Sequence, residues 1–278
     1  MINLIRIELF KIFKKVRSYI GFIAIAVLVP VIQIALYLEG ENILNFLTQN
    51  LRQSFFFVGN FLNGYLIAFI VLGSLMIHIP FLITLVTGDL LAGEATSGTY
   101  RMLLTRPVSR TKILTAKFIA GQIYTHSLVL WLAAISMGLG VIIFGVGELI
   151  VITDNITIFA KDDILWRFAL AYGFGALSMS VVASLSFLFS SLVENSIGPI
   201  ISTMAIIIVF IIISSINVNF FESIKPYLFT NYMQHWRYFF DDPLDSAEII
   251  KSGIILLGHV VVFFTATLII FRKKDILS

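Results

Sequence analysis

The chain has 278 residues, of which 59% are hydrophobic and 13% charged, and its formal net charge is +3. Soluble domains are typically about 45–50% apolar and about 25% charged, so this composition excludes an ordinary soluble fold. The absence of cysteine excludes disulfides, thiolate metal sites and thiol nucleophiles. The sequence is therefore typical of a protein that crosses a membrane several times.

The first element, residues 1–17, is predicted to be an amphipathic helix in the membrane interface. Apolar residues recur there at three- and four-residue steps, while most of the charged residues lie on the other side. The alternative is a basic flank that only fixes orientation. The apolar run that follows is long enough to span, so we expect a retained first helix rather than a cleaved signal peptide.

Six stretches are long and apolar enough to cross a membrane, because a spanning helix needs about 20 mainly apolar residues. The predicted spans are about 18–38, 61–87, 118–147, 168–192, 197–217 and 252–271. Pro30, Pro80 and Pro199 are expected to kink the first, second and fifth spans. The fourth is rich in small residues, which predicts a central packing helix. The fold prediction is an all-α membrane protein with one transmembrane domain over residues 1–278.

The distribution of charge predicts that both termini are cytoplasmic. With that topology the cytoplasmic segments hold 13 of the 19 bases but only 5 of the 16 acids. Cytoplasmic segments of membrane proteins carry an excess of Lys and Arg, and the reverse topology would invert this excess. Residues 88–117 are then a cytoplasmic loop and residues 218–251 an outer loop. The many aromatic residues of the outer loop predict short helices at the membrane boundary.

Catalytic motifs are missing from the sequence. The only ionisable side chains within the predicted spans are His78, His126 and His259, which we interpret as packing or interfacial residues, a proton relay being the alternative. Metal-binding, hydrolytic and GxxxxGK[ST] phosphate-loop motifs are missing too, so we expect no enzyme activity, metal or cofactor in this chain. In-span polar residues such as Asn60, Asn63, Gln122 and His126 do not identify a substrate.

The predicted cytoplasmic loop has its own start and stop signals. Ser97, Gly98 and Thr99 interrupt the chain before an apolar run, Pro107 ends that run, and Ser109 can cap the helix leading into the third span. These signals predict a short helix on the cytoplasmic face, which can act as a lever. The alternative is a loop that is basic only because its side of the membrane requires it.

The residues of this loop carry a family resemblance. The pattern Glu94-x-x-x-Gly98-Thr99-x-x-x-Leu103-Leu104-x-x-Pro107-Val108-Ser109-Arg110-x-x-Ile113-Leu114-x-x-Lys117 resembles that of the type-2 ATP-binding-cassette exporter permeases. In that family the loop forms a coupling helix that docks on a separate ATPase subunit. The resemblance implies that coupling residues are Glu94, Gly98, Thr99, Arg101, Pro107 and Arg110.

The resemblance also implies partners and a location. The chain would be the permease subunit of an exporter in the cell (inner) membrane, paired with an ATPase subunit that binds ATP and Mg²⁺ and with a second permease chain, identical or different. It would contact the lipid bilayer and no nucleic acid. Two alternatives stay open: a stand-alone ion- or proton-coupled transporter, suggested by the three histidines, and a membrane-embedded enzyme or scaffold acting through the outer loop.

Overall fold

The computed structural model describes residues 1–48, 62–98, 108–152, 156–216 and 218–273, and these residues are mostly helical. Within this part of the chain, five helices are long and apolar enough to cross a membrane, and there are six if one bent pair counts as a single span. This arrangement is typical of a multi-pass membrane protein.

The chain begins with two helices, α1 (Ile2–Lys14) and α2 (Arg17–Thr48). The predicted amphipathic helix is thus confirmed as a helix, and it buries Glu8 and Ile12. Helix α2 continues ten residues beyond the predicted end of the first span. Pro30 lies inside α2 without ending it.

The second predicted span is broken into α3 (Gly64–Leu75) and α4 (Ile79–Thr87), which meet at 54°. Pro80 is the second residue of α4, a position where its missing N–H costs nothing. The expected kink therefore lies just before Pro80. Helix α5 (Asp89–Thr96) follows after Gly88.

The third and fourth spans are longer than predicted. Helix α6 (Arg110–Phe144) begins eight residues before the predicted span, and α7 (Lys161–Leu192) begins seven residues before it. Between them lies an antiparallel hairpin of β1 (Leu149–Ile152) and β2 (Ile156–Phe159), with Leu149 opposite Phe159. The prediction of an all-helical fold was wrong at this hairpin.

The fifth span follows the prediction closely, and the sixth begins six residues before its predicted start. The remaining elements are α8 (Ile197–Ser215), α9 (Asn219–Glu222), a 3₁₀ helix (Lys225–Tyr227), α10 (Phe229–Met233), a second 3₁₀ helix (Gln234–Phe240) and α11 (Ser246–Lys273). The expected short helices of the 218–251 loop are confirmed. They fold back along α11, because the carbonyl oxygen of Tyr227 lies 3.3 Å from Nε2 of His259, about 20 Å along α11 from its start.

Helix α7 is the centre of the bundle. Within its most apolar stretch 72% of the residues are buried, whereas the other four long helices bury 17–28% of theirs. The prediction that the fourth span is the central packing helix is confirmed. Its small residues let neighbouring helices approach closely, which is how helices associate where no hydrophobic effect drives them together.

The bundle has two distinct ends. At one end, here named the basic end, lie α1, α5, the start of α6 and the end of α11, where the Arg272 guanidinium donates to the Thr111 hydroxyl at 2.9 Å. At the other, the hairpin end, the buried Arg167 of α7 donates to the carbonyl oxygens of Phe239 and Asp241 at 2.9 and 3.1 Å. The two described ends of the chain thus share the basic end.

Candidate functional site

Seven charged side chains meet at the basic end, three acids and four bases. We name this set the ion cluster, and it consists of Glu8, Lys11, Lys15, Arg17, Asp89, Glu94 and Lys117. They come from α1, the turn that follows it, the start of α2, α5 and α6. Charged groups this close to the core are costly unless each has a partner, so the pairing of the cluster decides what it can do.

Lys117 is the centre of the ion cluster. It is only 1% exposed, and its Nζ lies 2.7 Å from Oε2 of Glu8 and also contacts Oε1 of Glu94. Lys11 bridges the same two acids from outside, with Nζ 2.9 Å from Glu8 and 3.1 Å from Glu94. A single buried ammonium therefore joins the first helix, α5 and α6.

Asp89 forms the second part of the ion cluster. It is 4% exposed, and its two carboxylate oxygens lie 2.8 Å from Nζ of Lys15 and 2.7 Å from Nη1 of Arg17. Its position as the first residue of α5 is favourable, because the N-terminus of a helix attracts negative charge. The turn between α1 and α2 is thereby fixed to the start of α5.

The pKa shifts in the cluster follow from these contacts. Burial alone raises the pKa of the Glu94 carboxyl, but Lys117 and Lys11 together outweigh it and hold this pKa below its ordinary value. Burial likewise lowers the pKa of Lys11, and Glu8 with Glu94 outweigh it and raise this pKa. Both groups are therefore charged at neutral pH, and the pairing is electrostatic.

Helix α5 is attached to α7 at its start and to the segment that follows α7 at its end. The Ser190 hydroxyl donates to the carbonyl oxygen of Gly88 at 2.6 Å and accepts the N–H groups of Leu91 and Ala92 at 3.0 and 2.9 Å. At the far end, the Thr96 hydroxyl donates to the Glu194 carbonyl oxygen at 2.6 Å. Ser190 thus satisfies the N–H of Leu91, one of the backbone donors that the start of a helix leaves without a partner.

Gly88 is required at the junction of α4 and α5. A methyl group at this position would lie 2.8 Å from the Thr84 carbonyl oxygen and 3.1 Å from Pro199. Gly93 is restricted too, since a methyl group there would overlap the Asp89 carboxylate. The close packing of α5 explains why these two positions carry no side chain.

The predicted coupling residues fall into two groups. Glu94 lies in the ion cluster, Gly98 follows α5 with a positive φ of 66°, and Arg110 is the first residue of α6 and half-buried. Thr99, Arg101 and Pro107 lie outside the described residues. The predicted helix cap at Ser109 is confirmed, because its Oγ accepts the N–H of Lys112 at 3.4 Å.

Sequence reasoning missed Glu8, Asp89 and Ser190 as members of this site, and it used Lys117 as a topology signal and as part of the loop pattern without giving it a role. The sequence contains one clue for Glu8, since it is the only acid in the first seventeen residues, which also hold five bases. Ser190 carried no comparable signal, because the fourth span holds many serines.

The three in-span histidines make local contacts. Nδ1 of His78 and of His259 each lie 2.9 Å from the backbone carbonyl four residues earlier, and Nε2 of His126 lies 2.8 Å from the Ser180 hydroxyl. Within the ranges that the structure describes, no group of three or more His, Asp or Glu residues could hold a metal ion. These contacts agree with packing roles for His78 and His259.

Comparison with known proteins gives two findings. Residues 21–277 match the model of a family described as protein of unknown function (DUF2705). The chain is also 27% identical over 199 residues to an uncharacterized protein, YhcI, of Bacillus subtilis (strain 168). That alignment covers 69% of this chain and 63% of the relative, so the chain spans somewhat less than two thirds of the relative's length.

Proposed function

We propose that this chain, which belongs to the DUF2705 family of proteins of unknown function, is the permease subunit of an ATP-binding-cassette exporter. It would work with a separate ATPase subunit and a second permease chain. The observation that carries the proposal is that the ion cluster joins both flanks of the loop between the second and third spans to the first helix.

The first support is the arrangement of the apolar helices. Six spans result if α3 and α4 cross the membrane as one broken helix, and the described chain ends then lie on the same side. That side holds most of the bases, so the positive-inside rule makes it the cytoplasmic side. A loop at the basic end is therefore within reach of a cytoplasmic ATPase.

The second support is the position of the ion cluster around this loop. Glu94 precedes the loop and Lys117 follows it, and the two side chains are in contact. Glu8 of α1 lies 2.7 Å from the same ammonium. A force applied to the loop would then move α5, α6 and α1 together, rather than bend only the backbone of the loop.

This geometry changes the role proposed for Glu94. A carboxylate that already contacts Lys117 and Lys11 is engaged within its own chain. We therefore propose that Glu94 positions the loop, and that the docking contact itself is made by residues 98–110. Such coupling requires two states that the nucleotide-bound ATPase contacts differently.

The third support is the missing phosphate loop. The sequence has no GxxxxGK[ST] stretch to cradle nucleotide phosphates. Energy from ATP would have to come from another polypeptide, and that polypeptide needs a surface on which to act. The loop with its coupling pattern is the largest predicted cytoplasmic segment available for this purpose.

Site-specific crosslinking tests the proposal. A photoactivatable amino acid replaces Arg101 in the loop, or Lys161 at the hairpin end as the control, and the tagged chain is irradiated in native membranes. We expect position 101 to crosslink to a polypeptide containing a phosphate loop and position 161 not to. Recovery of no such ATPase at position 101 would contradict the proposal, as would ATP-independent, gradient-driven uptake by liposomes containing only this chain.

The proposed orientation has a separate test. Because the chain has no cysteine, single cysteines can be labelled without background. Lys14 and Lys161 are both exposed and lie at opposite ends of the bundle. A membrane-impermeant maleimide is expected to label Lys161→Cys in intact cells and Lys14→Cys only after permeabilisation. Labelling of Lys14→Cys in intact cells would reverse the orientation.

A further inference from the structure

A cavity of about 420 Å³ opens between α6, α7 and α11, away from the ion cluster. Its lining residues are Gln122, His126, Gly173, Ala176, Leu177, Ser180, Leu257 and Val260. Gly173 and Leu257 are exposed, so the cavity opens at the surface of the bundle. His126 lies nine residues beyond Lys117, which places the cavity about 13 Å along α6 from the ion cluster.

One wall of the cavity is polar, and its hydrogen bonds can be accounted for one by one. The Ser180 hydroxyl donates its only hydrogen to the carbonyl oxygen of Ala176 at 2.9 Å, so Nε2 of His126, 2.8 Å away, is the donor in the His126–Ser180 bond. Nδ1 of the neutral imidazole is then an acceptor. His126 itself is exposed at the cavity.

Gln122 adds a second acceptor one turn away. Its amide nitrogen donates to the Ser184 hydroxyl at 3.1 Å, and that hydroxyl donates its own hydrogen to the Ser180 carbonyl oxygen at 2.6 Å. Oε1 of Gln122 is buried and has no hydrogen-bond partner among the described residues. Leaving such an acceptor without a donor is costly, which favours a ligand that brings one.

The other lining residues define the rest of the ligand. Leu177, Leu257 and Val260 are apolar, and Gly173 and Ala176 leave space. No carboxylate is among the described residues that line the cavity, so a bound ammonium would meet no counter-ion there and a neutral donor is favoured. The volume lies within the roughly 300–1,000 Å³ of pockets that hold drug-sized molecules.

We propose that this cavity binds a neutral amphipathic molecule whose hydroxyl group donates its hydrogen to Oε1 of Gln122, beside His126, while its apolar part packs on α11. The proposal stands on the cavity itself and does not require that the chain be a transporter. A membrane lipid with a free hydroxyl and an exported apolar alcohol share this chemistry.

Photolabelling with a matched pair of probes tests the proposal. The probes are a dodecanol carrying a diazirine and an alkyne, and its methyl ether, which has the same shape but no donor. The purified full-length chain is labelled in detergent, and the modified peptides are mapped. We expect the alcohol to label α6, α7 and α11 about tenfold more than the ether, as for the loss of one hydrogen bond in a desolvated site. Equal labelling by both probes would overturn the proposal.

Two variants make the result specific to the cavity. A Cβ atom at Gly173 would meet nothing within 4 Å and would point into open space, so Gly173→Leu is the variant chosen to fill the cavity. Gly138 is equally unobstructed and lies on α6 outside the lining, so Gly138→Leu is the matched control. We expect Gly173→Leu to abolish labelling of the three helices and Gly138→Leu to preserve it. Labelling that survives Gly173→Leu would overturn the proposal.

A last measurement distinguishes the two sources of a natural ligand, a membrane lipid and an exported molecule. Mass spectrometry of the chain purified from native membranes detects a resident lipid with a free hydroxyl if the ligand is a membrane component. A cavity that is instead loaded with cargo gives no such lipid but the same probe labelling. Failure of the ATPase crosslinking described above would leave all of these binding results unchanged.

Discussion

Nζ of Lys117 lies 2.7 Å from a carboxylate oxygen of Glu8, across 109 positions of sequence. Because Lys117 is almost completely buried, the ion pair is well shielded from bulk solvent. The first helix is therefore held against α6 by a contact that is specific in charge and position, in addition to the packing of Ile12 with Leu114 and Tyr124 in one apolar cluster.

Loss of the central cation is expected to destabilise the chain strongly. Lys117→Met keeps the length and the apolar stem but leaves Glu8 and Glu94 near each other without their shared partner. Breaking a buried ion pair in this way typically costs about 3–5 kcal/mol. The measurement is the apparent melting temperature of the purified chain in detergent, which we expect to fall by many degrees.

The control for that experiment is Lys112→Met. Lys112 lies five residues earlier on the same helix and is exposed, and such surface substitutions usually change stability by less than about 0.5 kcal/mol. Equal melting temperatures for the two variants would mean that the ion cluster contributes no stability.

The stability of the chain should depend on pH through the ion cluster. The folded pKa of Glu94 is depressed, so its contribution is present above its ordinary pKa of 4.5 and is lost as the pH falls through the lower folded value. The pKa of Lys11 is raised, so its contribution is present below 10.5 and is lost as the pH rises through the higher folded value. A plateau of melting temperature between these limits is expected.

Substitution isolates the acid side of this profile. Glu94→Gln removes the titrating group, so we expect a lower melting temperature at neutral pH and a smaller further decrease below pH 4.5 than in the parent chain. Parallel acid profiles for the two proteins would show that other carboxylates account for the acid sensitivity.

The Ser190 hydroxyl is expected to contribute more than its neighbours on α7. Ser190→Ala leaves the N–H group of Leu91 without its partner, at a cost of about 1–3 kcal/mol. Its matched control is Ser186→Ala, one turn earlier. Among the described residues the buried Ser186 hydroxyl has no partner, so its loss should cost little. Chemical unfolding of both variants measures the difference, and equal midpoints would contradict the assignment.

The sequence predicted those elements whose pattern is local. Apolar steps at Ile2, Ile5, Leu9, Ile12 and Val16 indicated α1 because a helix repeats every 3.6 residues. Ile12 is indeed buried, whereas α1 ends at Lys14 and leaves Val16 exposed. The β hairpin also had a local signal, since two runs rich in β-branched residues, 149–152 and 156–159, are separated by three residues. The search for long apolar stretches did not detect the hairpin, because each strand is much shorter than a membrane span.

The ion cluster could not be predicted in the same way. Glu94 and Lys117 were both noted in the sequence, but their contact depends on how α5 and α6 leave the bundle, and Glu8 reaches them only after α1 has folded back onto α6. The positive charge of Lys117 shows that its side chain needs an acidic partner, but it does not identify that partner. The cavity was equally hidden, because Gln122, His126 and Ser180 come from two helices that only tertiary packing brings together.

The hydrogen bonds of Ser190 imply an order in which parts of the chain fold during its synthesis. The direction in which α5 leaves α4 is fixed by an oxygen atom that is synthesised 102 residues after Gly88. During translation, α4 and the loop behind it therefore emerge before the group that orients them exists. Helix α5 makes these hydrogen bonds only when the central helix has entered the bundle, so any partner that recognises α5 in this position can distinguish a chain in which α7 is in place from an earlier nascent one.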